Sequence, residues 1–201
     1  LVARGNFLAQ DRSDIRFAVK ELSRRMAKPR VRDVASLKRF ARYLALRPRL
    51  VTKYCKQGPL RTVVGWSDSD WAGCPETRKS TSGGVIMIGS HVIRTWSTTQ
   101  SVIATSSGEA EFYAMVKTGS QLLGIRAMLA DMGMEAKLQI LTDASAAQGI
   151  AARRGLGQVR HIEVNTLWLQ DQINKGKINV EKVKGTSNLA DALTKHTSTA
   201  D

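Results

Sequence analysis

The chain has 201 residues, 42% hydrophobic and 24% charged, so it is long enough to bury a core without disulfides or structural metals. No apolar run approaches the roughly 20 residues of a membrane span, and two cysteines with three scattered histidines exclude a disulfide framework and the common zinc sites. Most of the net charge of +14 lies at the front, since residues 1–60 hold 16 Lys and Arg against 4 Asp and Glu, a balance that suits a polyanion.

The basic front segment is predicted to form two helices. Apolar residues recur at helical spacing over 15–26, before Pro29, and again over 34–44, before Pro48. Basic side chains fall largely off both apolar stripes. The pattern therefore predicts a helical hairpin with a basic outer face, followed by a connection over 48–60. A solvated basic surface without a specific partner is the alternative.

From residue 60 onward the hydrophobic period becomes that of β-strands. Strands are predicted over 60–67, 84–88, 92–97, 137–141 and 177–183. Helices are predicted over 108–132, shortly after 143, over 161–173 and over 187–194. Gly89 and Ser90 indicate a β-hairpin between the second and third strands. The chain is thus divided into a basic helical segment over 1–59 and an α/β body over 60–201.

Four carboxylates of the body lie where strands end or helices begin. They are Asp68, Glu111, Asp143 and Asp191. Mg²⁺ takes oxygen ligands, and two ions about 3.5 to 4 Å apart can activate water and stabilise the leaving oxygen of a phosphodiester. The quartet therefore predicts a two-metal phosphodiesterase centre. Taken singly, each acid is explained as well by a helix cap or a solvated surface position, and spacing alone does not separate Asp70 and Glu109 from the candidates.

Six short motifs follow one another along the body. They are SDSDWAGC over 67–74, RKSTSG over 78–83, SSGEAEFYA over 106–114, TDASA over 142–146, RHIE over 160–163 and NLADALTK over 188–195. In this order they closely resemble the ribonuclease H domain of Copia-type (Ty1/copia) retrotransposon polyproteins. Residues 7–24 and 37–44 resemble the end of the reverse transcriptase that precedes that domain, so the resemblance covers nearly the whole chain.

The resemblance implies a ribonuclease H-like fold, a mixed five-stranded sheet flanked by helices, that cuts the RNA strand of RNA–DNA hybrids with two Mg²⁺ ions or with Mn²⁺ as a substitute. It assigns catalysis and metal binding to Asp68, Glu111, Asp143 and Asp191. Glu111 is favoured over Glu109 because Phe112 and Ala114 follow it as in the family. Asp70 and Glu109 are then expected to support the ligands or to face solvent. No membrane and no small-molecule cofactor are expected.

Three features depart from the family pattern. The loop over 184–187 lacks the histidine that cellular ribonucleases H carry there, so proton transfer would depend on water, Lys184 or a hydroxyl. Ala144 stands where Copia relatives often carry asparagine. No Tyr-x-Asp-Asp polymerase motif occurs, so this chain is not expected to polymerise DNA by itself.

Nine basic side chains are the predicted phosphate contacts. They are Arg24, Arg25, Lys28, Lys38, Arg39 and Arg42 of the front segment and Arg153, Arg154 and Arg160 of the body. The resemblance implies that the front segment packs against the reverse transcriptase portion of the same polyprotein. The alternative for the front segment is that part of its basic face contacts only the polymerase. The alternative for the body arginines is a plain exposed loop. The four tryptophans stack on nucleic acid or lie in the core, and the core is favoured.

The leading hypothesis is a metal-dependent endonuclease that degrades RNA paired to DNA during retrotransposon reverse transcription. A catalytically decayed or domesticated module that binds nucleic acid or the polymerase is the alternative. An integrase or junction resolvase of the same fold would instead attack duplex DNA. The N-terminal sequence shows no signal-peptide pattern, which predicts a fragment or processed product located inside the cell.

Overall fold

The computed structural model describes residues 1–59, 61–155, 157 and 166–196. Its α-helices are α1 Val2–Leu8, α2 Arg16–Ser23, α3 Val31–Leu46, α4 Ser107–Asp131, α5 Ser145–Ala152 and α6 Trp168–Asn174. Its strands are β1 Thr62–Asp70, β2 Thr81–Ile88, β3 His91–Thr99, β4 Lys137–Thr142 and β5 Asn179–Lys182. The first three helices form the front segment, and the remaining elements form the body.

The five strands form one mixed sheet in the order β3-β2-β1-β4-β5. The pairs β1–β2 and β2–β3 are antiparallel, whereas β1–β4 and β4–β5 are parallel. Such parallel pairs need crossover connections, and α4 and α6 supply them. The predicted α/β architecture, a mixed five-stranded sheet flanked by helices, is therefore confirmed, as is the hairpin across Gly89 and Ser90.

The core of the body lies between the sheet and α4. Phe112, Met115 and Leu122 of this helix are fully buried. Gly65 on β1 permits the close approach, since a Cβ at this position would lie 2.6 Å from Thr118 Cγ2 of α4. Trp96 is buried in the same core, as favoured for the tryptophans. Across the described ranges, no helix has both the length and the apolar character needed to cross a bilayer.

The front segment differs from the predicted helical hairpin. It has an additional short helix, α1, and α2 ends at Ser23, well before Pro29. The chain turns there because Arg25 N donates to Leu22 O at 3.1 Å and Met26 N to Ser23 O at 3.3 Å, replacing the helical pattern. A proline further along the chain therefore marks the latest point at which a helix can end, rather than the point at which it does end.

A small separate core holds the front segment together. Ala9, Ile15 and Val19 are buried, and the half-buried Phe40 and Leu44 of α3 pack against them. No residue of α3 itself is fully buried, so its predicted apolar stripe is only partly covered. The segment lies against the body through α2, where Lys20 Nζ donates to Thr81 Oγ1 at 2.6 Å. The division of the chain at 59/60 stays a prediction.

The predicted helix over 187–194 is wrong. Two 3₁₀ turns occur instead, Gly185–Ser187 and Asp191–Leu193. Asn188 separates them because its Nδ2 donates to Ser67 O at 3.0 Å while its Oδ1 accepts from Ala190 N at 3.1 Å. Such side-chain bonds to the backbone compete with helix formation. Of the helix predicted over 161–173, the part over 161–165 lies outside the described residues, and α6 begins at Trp168.

Candidate active site

The register of the parallel strands β1 and β4 brings two of the candidate acids level. Their last pair is Trp66 with Leu141; Asp68 lies two residues further along β1, and Asp143 lies two residues further along the chain, directly after the end of β4. Because side chains alternate with a period of two, both carboxylates leave the sheet on the same face. Asp68 does not end β1 as predicted. It lies within the strand, which continues to Asp70 through its pairing with β2.

The third acid comes from the first turns of α4. Ser106 caps this helix by accepting a hydrogen bond from Glu109 N at 3.2 Å, which fixes where the helix begins. Glu111 follows on the side that faces β1, and its Oε1 accepts a hydrogen bond from Ser69 N at 3.1 Å. One backbone contact therefore aligns the helix with the strand that carries Asp68.

The structure brings Asp68, Glu111 and Asp143 together. One carboxylate oxygen from each lies within 4.8 Å of the other two. Asp191, the fourth candidate, is outside this group, and its carboxylate instead accepts a hydrogen bond from Lys195. The predicted convergence of four acids is thus found for three. The catalytic and metal-binding roles assigned to all four stay predictions.

Asp70 and Glu109, which spacing alone could not separate from the candidate ligands, bind the backbone outside the group of three acids. Asp70 Oδ1 accepts a hydrogen bond from Thr81 N, which closes the end of the β1–β2 ladder. Glu109 is only 1% exposed, and its Oε2 accepts from Thr105 N at 2.7 Å and from Thr105 Oγ1 at 2.8 Å. Both carboxylates therefore secure the backbone around the site rather than lie within the group of three.

Burial and mutual repulsion make the site unfavourable for three negative charges. Burial, reinforced by the charges of Asp68 and Asp143, raises the pKa of Glu111 to about 8. Burial also raises the pKa of Asp68, and Asp191 and Asp143 add to the effect, while the hydrogen bond from Thr194 Oγ1 opposes it. A multivalent cation would relieve this repulsion.

The donor set fits a divalent metal ion. All three groups offer carboxylate oxygens, which are the ligands that Mg²⁺ and Mn²⁺ accept. Glu111 Oε2 is buried and has no hydrogen-bond partner among the residues that the structure describes, so one ligand atom is desolvated without compensation. Asp68, Glu111 and Asp143 are the residues that could hold such an ion.

The loop over 184–187, which has no histidine, lies beside Asp143. A Cβ added to Gly185 would come within 3.0 Å of Asp143 Oδ2, so the backbone of the 3₁₀ turn Gly185–Ser187 passes close to this carboxylate. Sequence reasoning did not foresee the contributions of Thr194 and Asn188, which tie the last turns to β1. Both residues belong to the motif over 188–195, but their partners lie more than 120 residues away in the chain.

The predicted phosphate contacts of the front segment fall into two groups. Arg24 donates to Glu21 and to Cys74 Sγ, and Arg25 pairs with Glu76 at 2.6 Å, so both guanidinium groups are engaged within the protein. The other four predicted phosphate contacts of the front segment are exposed; they are Lys28, Lys38, Arg39 and Arg42. Their role in binding nucleic acid stays a prediction.

The body arginines give a mixed result. Arg153 Nε donates to Gly149 O at 2.9 Å, whereas Arg154 is exposed. Arg160 lies outside the described residues. The core placement favoured for the tryptophans is wrong for Trp71, which is 53% exposed and whose Nε1 donates to Ala104 O at 3.1 Å.

Glu76 forms an ion-pair cluster that the sequence did not reveal. Besides Arg25, it accepts hydrogen bonds from Arg30 and from Arg32, the latter at 3.0 Å. Its partners are 44 to 51 positions away, so no local pattern could have indicated the cluster. It links the loop between β1 and β2 to the front segment.

Comparison with known proteins places the chain among retroelement proteins. It is 31% identical over 198 residues, 97% of its length, to each of two retrovirus-related Pol polyproteins of Arabidopsis thaliana, from transposons RE1 and RE2. It spans 13% and 14% of their lengths. No protein-family model matches the chain.

Among solved structures, one likeness to a ribonuclease H domain is weak. The N-terminal RNase H domain of a Mycobacterium tuberculosis protein superposes with a TM-score of 0.48 at 20% identity, covering 67% of this chain and 91% of that one. The fold is therefore assigned from the order and direction of the strands and not from this superposition. The sequence similarity along nearly the full chain identifies this protein as a homologue of the retrovirus-related Pol polyproteins of Copia-type transposons.

Proposed function

We propose that the chain is the ribonuclease H portion of a Copia-type Pol polyprotein and that it cleaves the RNA strand of RNA–DNA hybrids with two Mg²⁺ ions. The observation that carries the proposal is the group formed by Asp68, Glu111 and Asp143, whose carboxylate oxygens lie within 4.8 Å of one another. The similarity to the RE1 and RE2 polyproteins supports the retroelement context.

In this proposal the three clustered acids hold the metal ions, and Asp191 completes the set. Bound Mg²⁺ would supply an activated water and stabilise charge on the leaving oxygen. The protein contributes the alignment of these ligands: Ser69 N holds Glu111, and Thr194 Oγ1 holds Asp68. Because no histidine is present over 184–187, the proton of the leaving group comes from water, Lys184 or a hydroxyl, and turnover is slow.

The substrate is held by the exposed basic side chains and, in the polyprotein, by the reverse transcriptase portion. Lys28, Lys38, Arg39 and Arg42 provide positive charge that would bind phosphates by counterion release. The exposed apolar side chains of the front segment support packing against a further part of the polyprotein; Phe7 is 77% and Val31 90% exposed. An intracellular location follows from this context and stays a prediction.

Cleavage of labelled substrates tests the proposal. The 201-residue chain is incubated in Mg²⁺, and separately in Mn²⁺, with an RNA–DNA hybrid, duplex DNA and single-stranded RNA. We expect cleavage of the RNA in the hybrid only, abolished in Asp143→Asn and retained in Asp131→Asn, which removes an exposed carboxylate at the end of α4. Binding of the hybrid without cleavage would favour a decayed or domesticated module, and cleavage of duplex DNA would favour an integrase-like or resolvase-like enzyme.

A further inference from the structure

One lysine side chain is paired with the fourth acid of the proposed metal site. Lys195 Nζ donates a hydrogen bond to Asp191 Oδ1, four residues earlier. The charge of Lys195 also interacts with Asp68 and Asp143, and it opposes the rise in the pKa of Glu111. A single ammonium group thus contacts one proposed ligand, Asp191, and its positive charge attracts the other three.

The backbone that carries this lysine is fixed beside the group of three acids. Thr194 Oγ1 donates to Asp68 Oδ2, and Thr194 N donates to Asp191 O at 3.1 Å. The side chains of Asp191 and Lys195 extend from this anchored turn and are 45% and 58% exposed. Rotation of exposed side chains, without movement of the chain, can therefore change the partner of Asp191.

We propose that Lys195 is a tethered counter-cation that competes with metal ions for the candidate site. It neutralises the acids in the metal-free protein and holds Asp191 outside the group formed by Asp68, Glu111 and Asp143. Asp191 Oδ1 becomes available as a ligand atom only when it releases the ammonium group. This inference rests on the metal site of the proposed function, and it adds a residue that sets the affinity of that site.

The proposal predicts that removing the ammonium charge tightens Mg²⁺ binding. Lys195→Met keeps the length of the side chain, frees Asp191 and removes repulsion between the ammonium group and the divalent ion. Because the ion pair is largely solvent-exposed, we expect a modest effect, about two- to fivefold tighter binding. Lys195→Arg keeps the charge and is expected to keep the wild-type affinity.

The chain contains a matched control. Lys175 Nζ and Asp171 Oδ2 form another i,i+4 ion pair at 2.8 Å, with side chains 58% and 50% exposed, at the end of α6. Mg²⁺ is titrated into the 201-residue chain by isothermal titration calorimetry for wild type, Lys195→Met, Lys195→Arg and Lys175→Met. Tighter binding in Lys195→Met alone supports the proposal. Unchanged or weaker binding in that variant overturns it.

Urea denaturation gives a readout that is independent of affinity. In EDTA, Lys195→Met should unfold at lower urea concentration than wild type because the acids lose their counter-cation, and saturating Mg²⁺ should remove the difference. Equal destabilisation in both conditions would indicate a purely structural lysine and overturn the proposal. If the variants respond to Mg²⁺ as expected but the chain cuts no hybrid, only the nuclease function is refuted. If the wild-type chain binds no Mg²⁺, both the nuclease function and the role of Lys195 are overturned.

Discussion

Replacing Glu111 with glutamine is expected to change how the stability of the metal-free protein depends on pH. Burial and the neighbouring acids raise the pKa of Glu111 from 4.5 to about 8 in the folded protein. Each unit corresponds to about 1.4 kcal/mol of differential interaction between the protonated and the ionised side chain. Glutamine has nearly the same shape and remains neutral, and its side-chain oxygen can still accept the hydrogen bond from Ser69 N.

The sign of the effect follows from proton binding in the two states. Below pH 4.5 the side chain of Glu111 is protonated whether the chain is folded or not. Between about pH 4.5 and 8 the unfolded chain has lost this proton while the folded protein keeps it, so the free energy of unfolding falls as the pH rises. From pH 5.5 to pH 8 the contribution of Glu111 amounts to a loss of about 3 kcal/mol, which the Glu111→Gln variant does not undergo.

Urea denaturation in EDTA at pH 5.5, 7 and 8 measures this difference. Groups that titrate equally in both proteins cancel when wild type and variant are subtracted at each pH. Glu111→Gln should gain about 3 kcal/mol relative to wild type between pH 5.5 and 8. Glu135→Gln, at an exposed glutamate, should follow the wild-type profile. Parallel profiles for Glu111→Gln and wild type would refute the argument that this buried carboxyl resists ionisation.

Two further outcomes are expected. Gly65→Ala should lose about 1 to 3 kcal/mol of stability because its Cβ would lie 2.6 Å from Thr118 Cγ2. Gly124→Ala, with open space around its Cβ, should gain about 0.5 to 1 kcal/mol. Similar urea midpoints for the two variants would contradict this account of packing. Replacing both Arg39 and Arg42 by alanine should weaken hybrid binding and flatten its dependence on salt by about 1 to 2 units in the slope of log K against log salt, measured by fluorescence anisotropy without Mg²⁺. Unchanged binding would assign this face to the polymerase.

Much of the sheet could be predicted because its signals are local. The hairpin of β2 and β3, the strand β4 and the helix α4 follow from β-branched runs, a two-residue turn and helical periodicity within each segment. The ends of elements were less predictable. β1 runs on to Asp70 because β2 pairs with it there, and a partner strand cannot be read from the sequence of one strand.

For the same reason, the candidate site could be predicted from the sequence only in part. The family motif separates Glu111 from Glu109, which the spacing of the two residues could not do, and the structure shows the physical basis in their different partners. The pairing of Asp191 with Lys195 spans only four residues, but spacing alone does not show that this lysine pairs with Asp191 rather than with solvent. The contact between Asp68 and Thr194 depends on the folded chain, which places residues 126 positions apart side by side.

Metal binding at the three clustered acids is the claim on which the account depends. Anomalous diffraction from crystals of the 201-residue chain soaked in Mn²⁺ tests it directly. We expect a manganese peak in contact with carboxylate oxygens of Asp68, Glu111 and Asp143, and no peak at that position in Asp143→Asn. Manganese bound only elsewhere on the protein, with these three carboxylates unliganded, would contradict the account.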